Sequence, residues 1–278
     1  MERESMSKKI YLRVIGDYGD LGDMAFAEVA DRLDAQFDGI GGIDFQMRVT
    51  SVPVFDTIAT GFVLAQLAIN SPLGDKHLFY VNTAPRKDRL EGRQNNEGEG
   101  LVYAKLKNGV RIVAVNSGYS LTLVKPFAEE IRILNVSNAG SQFRSRDVFP
   151  VALGAVARGD DSVLGDDAAN HVPDQFPQNC VVYTDGYGNL KCSVNPDDLE
   201  SLKGKRVTVE INGRQQVALV GGGIFEVVDG EYCFARGSSG WTLPDGKKQT
   251  FAEVIKRGGN ASKSFGTPPG GIKVSWRD

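Results

Sequence analysis

The chain has 278 residues, of which 41% are hydrophobic and 24% are charged, a composition typical of one large or two medium globular domains. The formal net charge is −3, from 32 basic and 35 acidic residues, so no overall basic field indicates nucleic-acid binding. Only two histidines occur, His77 and His171. A histidine-rich metal centre is therefore nearly excluded, and any Ser-His-Asp triad must use one of these two side chains.

The cysteines and the apolar segments bear on the cellular compartment. Cys180, Cys192 and Cys233 form neither a CxxC pair nor a disulfide framework, which is typical of a reducing compartment. No segment reaches the roughly 18 consecutive apolar residues that span a bilayer, and the polar beginning of the chain does not resemble a signal peptide. We therefore expect a cytoplasmic protein that binds neither membranes nor nucleic acid.

Strand-like and helix-like segments alternate in the first half of the chain. Apolar runs predict strands at residues 10–15, 45–49, 78–81 and 131–136, and a hairpin of residues 101–106 and 111–115 around Asn108-Gly109. Periodicity and capping residues predict helices at residues 24–37, 57–69 and 147–158, with Asp56 and Asp147 as N-caps and Gly159 as terminator. This order predicts an α/β domain with a mainly parallel sheet over residues 1–170.

The pattern changes after Gly159. Residues 159–179 are acidic, contain proline and lack periodicity, which is typical of a linker or a wrap-around loop. Beyond them, we predict short strands at residues 180–184, 206–211, 216–220, 224–228 and 231–235, and one helix at residues 251–257. This spacing predicts a smaller all-β domain over residues 171–278, barrel-like or alternatively a sandwich. In the first domain, the charged, glycine-rich segment 86–100 is expected to be a mobile surface loop.

A glycine-rich acidic loop, residues 16–23 (GDYGDLGD), joins the first predicted strand to the first predicted helix. In an open α/β sheet, ligands bind beyond the carboxyl ends of the strands, where this loop is expected. A phosphate-binding loop would carry lysine or a neutral glycine motif, whereas carboxylates suit a ribose diol or a divalent cation. The alternative is a turn with solvated aspartates, in which Asp23 is the N-cap of the helix.

Two further segments carry polar side chains at turns. Residues 143–150 (FRSRDVFP) precede a predicted helix, and their arginines, serine and aspartate can hold an anion or polarise a nucleophile. The alternative, which the spacing alone favours, is a capping box with a surface ion pair. Residues 184–189 (TDGYGN) begin the second domain and, taken alone, predict a β-turn.

Taken in order, these segments resemble the S-adenosyl-L-methionine hydroxide adenosyltransferase family, which is related to the fluorinating and chlorinating enzymes. Residues 16–19 match the family's T-D-F-G, residues 143–150 its F-H-G-R-D-V-F-A-P, and residues 182–189 its H-I-D-x-F-G-N. Residues 52–56 and 61–65 look like its segment leading into the second helix, and residues 259–261 resemble its N-x-A turn. The resemblance runs from about residue 10 to about residue 266, and its strength lies in the order of the motifs.

This resemblance implies a ligand, an assembly and a set of contacts. The ligand is S-adenosylmethionine, as substrate or bound ligand, with no further cofactor and no metal, and the assembly is a homotrimer with sites at subunit interfaces. Tyr18 or Trp241 is a candidate for stacking on a ring, with packing as the alternative. The implied substrate-binding residues are Asp17 and Asp23 for the ribose, Asp185 and Asn189 for the methionine amino and carboxylate groups, and Asn260 and Ala261 for the adenine edge, and Phe143 is a further substrate-binding residue.

The chain departs from the family where the family activates water, with an Asp, an Arg seven residues later and the His of F-H-G-R-D. Here the Asp position is Asn82, the Arg is retained as Arg89, and the His position is Arg144. Neither asparagine nor arginine accepts a proton from water, so a positively biased pocket of Arg89 and Arg144 is expected instead. Ser145 replaces the glycine of the hydrolytic members and resembles a halide-contacting serine of the fluorinating relatives, but their Tyr-Pro-Ala-Thr stretch is absent at residues 82–85.

Three functions follow from this comparison. In the first, which we expect, water or hydroxide attacks C5′ of S-adenosylmethionine and releases adenosine and L-methionine, with Asn82, Arg89, Arg144 and Ser145 as the catalytic set. In the second, another anion such as a halide is the nucleophile. In the third, the protein binds S-adenosylmethionine or adenosine without catalysis, which the replacements at positions 82 and 144 favour.

Overall fold

The computed structural model describes residues 8–19, 22–38, 43–85, 90–92, 94–95 and 97–278. The chain forms two compact units that divide between Asp174 and Gln175. The boundary predicted from the sequence lies four residues earlier, between residues 170 and 171. The first unit contains strands β1 (Lys8–Gly16), β2 (Ile43–Ser51), β3 (His77–Asn82), β4 (Leu101–Leu106), β5 (Arg111–Val115), β6 (Ala128–Leu134) and β7 (Leu164–Asp167), and helices α1 (Met24–Phe37), α2 (Thr57–Ile69), α3 (Arg144–Asp147) and α4 (Phe149–Arg158). The second unit contains strands β8 (Val181–Thr184), β9 (Leu190–Cys192), β10 (Arg206–Ile211), β11 (Arg214–Gly221), β12 (Tyr232–Thr242), β13 (Lys248–Lys256) and β14 (Val274–Arg277), and helix α5 (Ala261–Ser264).

Helices α1 and α2 have the predicted bounds, and their sequences explain both. α1 buries one apolar stripe that includes Phe26 and Leu33, as expected for an amphipathic helix. α2 is apolar on nearly every side and is buried over most of its length. The predicted cap of α2 is confirmed, because the Asp56 carboxylate accepts hydrogen bonds from the backbone N–H groups of Ile58 (3.1 Å) and Ala59 (2.8 Å).

The sheet of the first unit is mixed, with the strand order β2-β1-β3-β5-β4-β6-β7. The pairs β2–β1, β1–β3 and β3–β5 are parallel, whereas the pairs β5–β4, β4–β6 and β6–β7 are antiparallel. The predicted hairpin of β4 and β5 is confirmed with the predicted bounds, and Gly109 in its turn has a φ of 87°. The parallel register pairs Gly16 with Asn82, so the ends of β1 and β3 lie side by side.

The predicted helix 147–158 is interrupted, and its predicted cap is wrong. Val148, with φ −121° and ψ −49°, separates α3 from α4. Asp147 lies in α3, and its carboxylate accepts a hydrogen bond from Arg146 Nε at 2.6 Å. This charged partner takes the place of the backbone N–H groups that a capping carboxylate would bind. The predicted end is confirmed, because Gly159 adopts a left-handed conformation with φ 79° after α4.

The segment predicted as a linker contributes to the sheet. Residues Leu164–Asp167 form β7, the edge strand that pairs with β6. The linker prediction is wrong for this stretch because an edge strand is held by backbone hydrogen bonds and needs no alternating apolar side chains. Strand β6, predicted at residues 131–136, lies at Ala128–Leu134.

The second unit contains a sheet with the order β14-β10-β11-β12-β13-β9-β8, antiparallel except for the parallel pair β11 and β12. Its two edge strands are β14 and β8. Val181 N donates to Ile272 O at 2.9 Å, and Val274 N donates to Asn179 O at 2.8 Å. These bonds link the two edges of the sheet over a short stretch.

Two predicted elements of the second unit are wrong. Residues 251–257 are predicted as a helix, but residues 251–256 belong to strand β13, which pairs with β12 on one side and β9 on the other. Pairing on both sides overrides the helical preference of this short apolar segment. Residues Ile224–Glu226, predicted as part of a strand, form one 3-10 turn in which Phe225 is 85% exposed.

Each unit has its own apolar core. In the first unit, Leu12, Leu33 and Tyr80 belong to one buried cluster between the sheet and its helices. In the second unit, Phe234 and Phe265 belong to a separate buried cluster. Among the residues that the structure describes, no helix is both long and apolar enough to cross a membrane.

Candidate functional site

A cavity of about 1410 Å³ lies where β1, β3 and β5 end in the first unit. Its volume is ample for a nucleoside-sized ligand, since ligand pockets typically measure roughly 300–1,000 Å³. The strand ends contribute Asp17, Asn82 and Val115, and the segment that leads into α4 contributes the facing lining residues. Of the residues predicted from the sequence, those that line this cavity are Asp17, Tyr18, Asp23, Asn82, Phe143, Arg144 and Ser145. Arg89, also predicted there, lies outside the described residues.

The cavity is acidic over the part of its lining that the structure describes. One guanidinium, that of Arg144, accompanies several carboxylates. The positively biased pocket expected from Arg89 and Arg144 stays a prediction, because Arg89 lies outside the residues that the structure describes. A lining of this kind raises the local concentration of cations and repels anions. The carboxylates are those of Asp17, Asp23, Glu91, Glu97 and Glu99.

Asp17 is held at the end of β1 by a backbone contact across the cavity rim. Its Oδ2 accepts a hydrogen bond from the backbone N–H of Phe55 at 2.8 Å. Phe55 has a φ of 62°, an unusual conformation for a bulky residue, and its side chain is 55% exposed and lines the cavity. The carboxylate predicted to bind ribose thus also fixes the strained residue that begins the approach to α2.

Four polar side chains, one of them that of Asn82, form a cluster at the end of β3. Asn82 Nδ2 donates to the hydroxyl of Tyr18 and, at 3.2 Å, to that of Tyr80. The Tyr18 hydroxyl is also hydrogen-bonded to the side chains of Tyr80 and Ser145, and the Tyr80 hydroxyl donates to the backbone carbonyl of Ser145 at 3.4 Å. Asn82 is 5% exposed and Tyr80 is fully buried. Strand β3 and helix α3 are therefore joined by a hydroxyl and amide cluster that is defined here as Tyr18, Tyr80, Asn82 and Ser145.

Both phenols in this cluster stay protonated at neutral pH. Burial raises the pKa of Tyr18 to about 12, against the lowering effect of its hydrogen bonds to Tyr80, Ser145 and Asn82. Burial also raises the pKa of Tyr80 well above its usual value. A neutral phenol both accepts and donates a hydrogen bond, so the cluster can order polar groups at the cavity without adding charge.

Arg144 is fixed at the cavity wall. Its Nη1 donates to the backbone carbonyl of Glu99 at 3.3 Å, and its guanidinium lies 5.1 Å from the ring centroid of Phe149. A side chain on Gly98 would come within 2.8 Å of Arg144 Nη1, so this glycine lets the backbone pass close to the guanidinium. Arg144 thus carries a fixed positive charge at the cavity wall.

The ion-pair interpretation of residues 143–150 is confirmed for Arg146 and Asp147. Arg146 also donates to Glu28 at 2.9 Å, and Asp147 accepts from the Ser141 hydroxyl at 2.6 Å. These hydrogen bonds from Arg146 and Ser141 hold the pKa of Asp147 well below its usual range. Phe143 lines the cavity, and the guanidinium of Arg146 lies over its ring, 5.2 Å from the ring centroid.

Asp23 has the structural role that the sequence offered as the alternative to ribose binding. It is the N-cap of α1, and its Oδ1 accepts from the backbone N–H of Ala25 at 2.8 Å. The same residue lines the cavity, so capping and ligand contact are compatible in position.

Asp185 and Asn189 form the turn between β8 and β9 in the second unit. Asp185 Oδ1 accepts from the backbone N–H groups of Tyr187 and Asn189, each at 3.0 Å, and Asn189 Nδ2 donates to Asp185 Oδ2 at 3.0 Å. Gly188 N donates to the Asp185 carbonyl at 2.9 Å. The β-turn predicted from this segment alone is confirmed, and both predicted ligand side chains take part in it.

The predicted adenine-binding turn lies against the Asp185–Asn189 turn within the second unit. Ser262 N donates to the Gly188 carbonyl at 2.9 Å, and a side chain on Gly188 would come within 2.1 Å of the Asn260 side chain. Asn260 is the N-cap of α5 and accepts from Lys263 N at 2.8 Å, whereas Ala261 is fully buried. The four residues predicted to bind methionine and adenine therefore belong to two touching turns.

Trp241 packs inside the second unit, as the alternative to ring stacking predicts. It is 5% exposed and its ring centroid lies 5.3 Å from that of Phe251. Within the described residues, no group of three or more His, Cys, Asp or Glu side chains is arranged to hold a metal ion.

Tyr80 and Glu99 are site residues that the sequence motifs did not indicate. Tyr80 lies two residues before Asn82 in β3, so strand alternation places both side chains on the same face. That spacing is a usable signal for Tyr80. Glu99 is 6% exposed and comes from a charged, glycine-rich segment whose pattern predicts only a surface loop.

No protein-family model matches the chain, and no curated protein matches it. Among solved structures, the chain is similar to an uncharacterized conserved protein from Thermotoga maritima, with a TM-score of 0.68, 17% sequence identity, and coverage of 96% of this chain and 100% of that one. It is also similar to a conserved hypothetical protein from Thermus thermophilus, with a TM-score of 0.64, 18% identity, and coverage of 96% and 100%. Likeness at these identities shows a shared fold.

Proposed function

We propose that the protein is a divergent relative of the S-adenosylmethionine hydroxide adenosyltransferases and cleaves S-adenosylmethionine with water, giving adenosine and L-methionine. One observation carries the proposal: Asp17, Asn82, Arg144 and Ser145, which come from three separate segments of the chain, line one cavity. That cavity lies at the carboxyl ends of parallel strands, the usual ligand position in an α/β sheet.

The charge of the lining supports a cationic substrate. S-adenosylmethionine carries positive charge on its sulfonium sulfur and its ammonium group, and the described lining is rich in carboxylates. Asp17, which lines the cavity, suits two ribose hydroxyls chemically, since a carboxylate accepts several hydrogen bonds through its two oxygens. S-adenosylmethionine is the substrate here, and the proposal requires no further cofactor.

In the proposed reaction, a lone pair on the water oxygen forms the C5′–O bond while the C5′–S bond breaks. The bonding pair leaves on sulfur, so the sulfonium becomes the neutral thioether of methionine, and the attacking water loses one proton to solvent. The leaving group needs no protonation, so the step depends on in-line positioning more than on a strong base. A site with Asn82 and Arg144 in place of Asp and His can therefore support it, at a reduced rate.

Halide or another small anion as nucleophile is the weaker alternative. Ser145 and Arg144 favour an anion, but the surrounding carboxylates disfavour it. Binding of S-adenosylmethionine or adenosine without catalysis is the stronger alternative, because neither Asn82 nor Arg144 can act as a base.

The test is to incubate the protein with S-adenosylmethionine and separate the products by chromatography. We expect adenosine and methionine in equal amounts, and their loss in Asp17→Ala but not in Asp160→Asn. Asp160 is a matched control because it caps a short helical turn away from the cavity lining, and asparagine also caps. A 5′-halogenated nucleoside that forms only with added halide would show that the nucleophile is a halide and not water. Thermal stabilisation by S-adenosylmethionine with no product would support the binding protein.

We also propose that the sheet of the second unit is barrel-like and that the protein is a homotrimer. The bonds between the edges of that sheet, at residues 179–181 and 272–274, support the barrel. The trimer rests on the family resemblance. Light scattering of the purified protein is expected to give three times the 30.1 kDa mass of the chain, and a monomeric mass would contradict the trimer.

A further inference from the structure

The phenol of Tyr18 connects two predicted reaction-site residues that come from different elements. Asn82 ends β3 and Ser145 lies in α3, and both side chains line the cavity. Asn82 Nδ2 donates to the Tyr18 hydroxyl, which is also hydrogen-bonded to the Ser145 side chain. Tyr18 itself follows β1, so one hydroxyl joins three segments of the first unit.

The ring of Tyr18 is held in place by its packing. It folds back over the end of β1, where a side chain on Gly16 would come within 2.6 Å of the ring. On another side, the ring centroid lies 5.7 Å from that of Phe26 in α1. A glycine at position 16 is therefore required for the ring to lie there, and the hydroxyl has little freedom to leave Asn82 and Ser145.

We infer that Tyr18 is a positioning residue for the proposed reaction: its hydroxyl, anchored on Asn82 and Tyr80, holds the Ser145 side chain in the orientation that places the attacking water. The inference rests on the proposed function. It assigns the ordering of the nucleophile to a neutral hydroxyl cluster, at a site where the Asp and His of the family are absent.

The physical reason is that displacement at a primary carbon is sensitive to the angle and distance of attack. Misplacement of a reacting group by about 1 Å costs on the order of 100-fold in rate. A phenol both accepts from Asn82 and shares a hydrogen bond with Ser145, and a phenyl ring of the same shape does neither. Loss of the hydroxyl alone should then disorder Ser145 while the ring packing remains.

The first experiment compares Tyr18→Phe with Tyr103→Phe in the adenosine-release assay. Tyr103 is a matched control because its ring is also buried in the first unit, 7% exposed, and does not line the cavity. We expect Tyr18→Phe to lower kcat by about 10- to 100-fold with KM for S-adenosylmethionine nearly unchanged. Tyr103→Phe is expected to leave both constants near the wild-type values.

The second experiment gives a signature that a merely structural role would not produce. A fluorinated tyrosine at position 18 keeps the ring and the hydroxyl but makes the phenol more acidic. We expect kcat of this variant to fall in the alkaline range, at a pH where the wild-type rate is still constant. This measurement applies even where Tyr18→Phe folds poorly.

The outcomes separate the inference from the proposed function. Wild-type protein that releases no adenosine overturns both. An active wild type with a Tyr18→Phe kcat equal to that of Tyr103→Phe overturns the inference alone. A fluorinated variant whose pH profile matches the wild type also overturns the inference and leaves the proposed function intact.

Discussion

At the scale of single residues, the proposed function depends on Asn82 and Arg144, the two positions where the chain differs from the family that it resembles. Asn82 bridges two phenols through its amide nitrogen, a role that a carboxylate would have to fill by accepting from both phenols instead. Arg144 stays charged and is fixed on Phe149 and the Glu99 carbonyl. Both replacements exchange a group that accepts protons for one that only orders its neighbours.

The first prediction restores the family's water-activating pair. We expect the double variant Asn82→Asp with Arg144→His to raise the rate of adenosine release by about 10-fold or more, because acid–base groups contribute roughly 100- to 10,000-fold when well placed. The same variant should gain a pH-dependent rate between about pH 6 and 7, where histidine ordinarily titrates. A rate that is unaltered or lower would show that positions 82 and 144 do not belong to the water-activating set.

The second prediction concerns His77, a buried histidine at the start of β3. Its Nδ1 lies 2.7 Å from the Ser71 hydroxyl, and burial together with the nearby Arg13 charge lowers its pKa to about 4. Between about pH 6.5 and pH 4, His77 is therefore protonated in the unfolded chain and neutral in the folded protein. The free energy of unfolding consequently falls as the pH falls through this range. We expect His77 to contribute a loss of about 3 kcal/mol in the free energy of unfolding between pH 7 and pH 4.

Denaturant unfolding of wild type and His77→Gln at several pH values measures this contribution. The difference between the two proteins should change with pH, because glutamine does not titrate. His171→Gln is the control, since that residue is exposed. Parallel pH profiles for wild type and His77→Gln would contradict the prediction.

At the scale of elements, strand pairing decided the secondary structure of a segment whose local pattern fits either a helix or a strand. Strand β13 carries an apolar segment that is short enough to suit either a helix or a strand, and it is central in its sheet. There Glu253 is buried, and its Oε1 pairs with Lys191 Nζ at 2.5 Å. A helix at this position would leave β12 and β9 without their shared partner.

The third prediction concerns the turn between β8 and β9. Gly188 has a φ of 84° and lies against the Asn260 side chain, so an added Cβ meets both an unfavourable backbone conformation and a steric overlap. We expect Gly188→Ala to lower the free energy of unfolding by about 1–2 kcal/mol or more. Gly186→Ala is the matched control in the same turn, because nothing lies within 4 Å of its Cβ. Equal stability of the two variants would contradict the contact between the turns.

At the scale of the whole molecule, the chain consists of two units with separate cores. The buried cluster that contains Leu12 and Tyr80 lies in the first unit, and the cluster that contains Phe234 and Phe265 lies in the second. Each unit therefore buries apolar surface without help from the other, which is the physical requirement for independent folding.

The fourth prediction is that residues 175–278 fold as an isolated fragment. The fragment contains a complete set of strands β8 to β14, including both edges that residues 179–181 and 272–274 link. We expect a cooperative thermal transition and a well-dispersed NMR spectrum. A fragment that unfolds without cooperativity would show that its sheet needs the first unit.

The sequence alone determined the features that depend on near neighbours in the chain. The α1 and α2 bounds, the Asp56 cap, the β4–β5 hairpin and the Gly159 terminator all follow from local spacing and backbone preference, and all are confirmed. The tertiary structure alone decided the features that depend on distant partners. It placed residues 251–256 in a strand, joined Arg146 to Glu28, and brought Tyr18, Tyr80, Asn82 and Ser145 together. The physical reason is that pairing, burial and local charge depend on groups far apart in the chain, which no local pattern encodes.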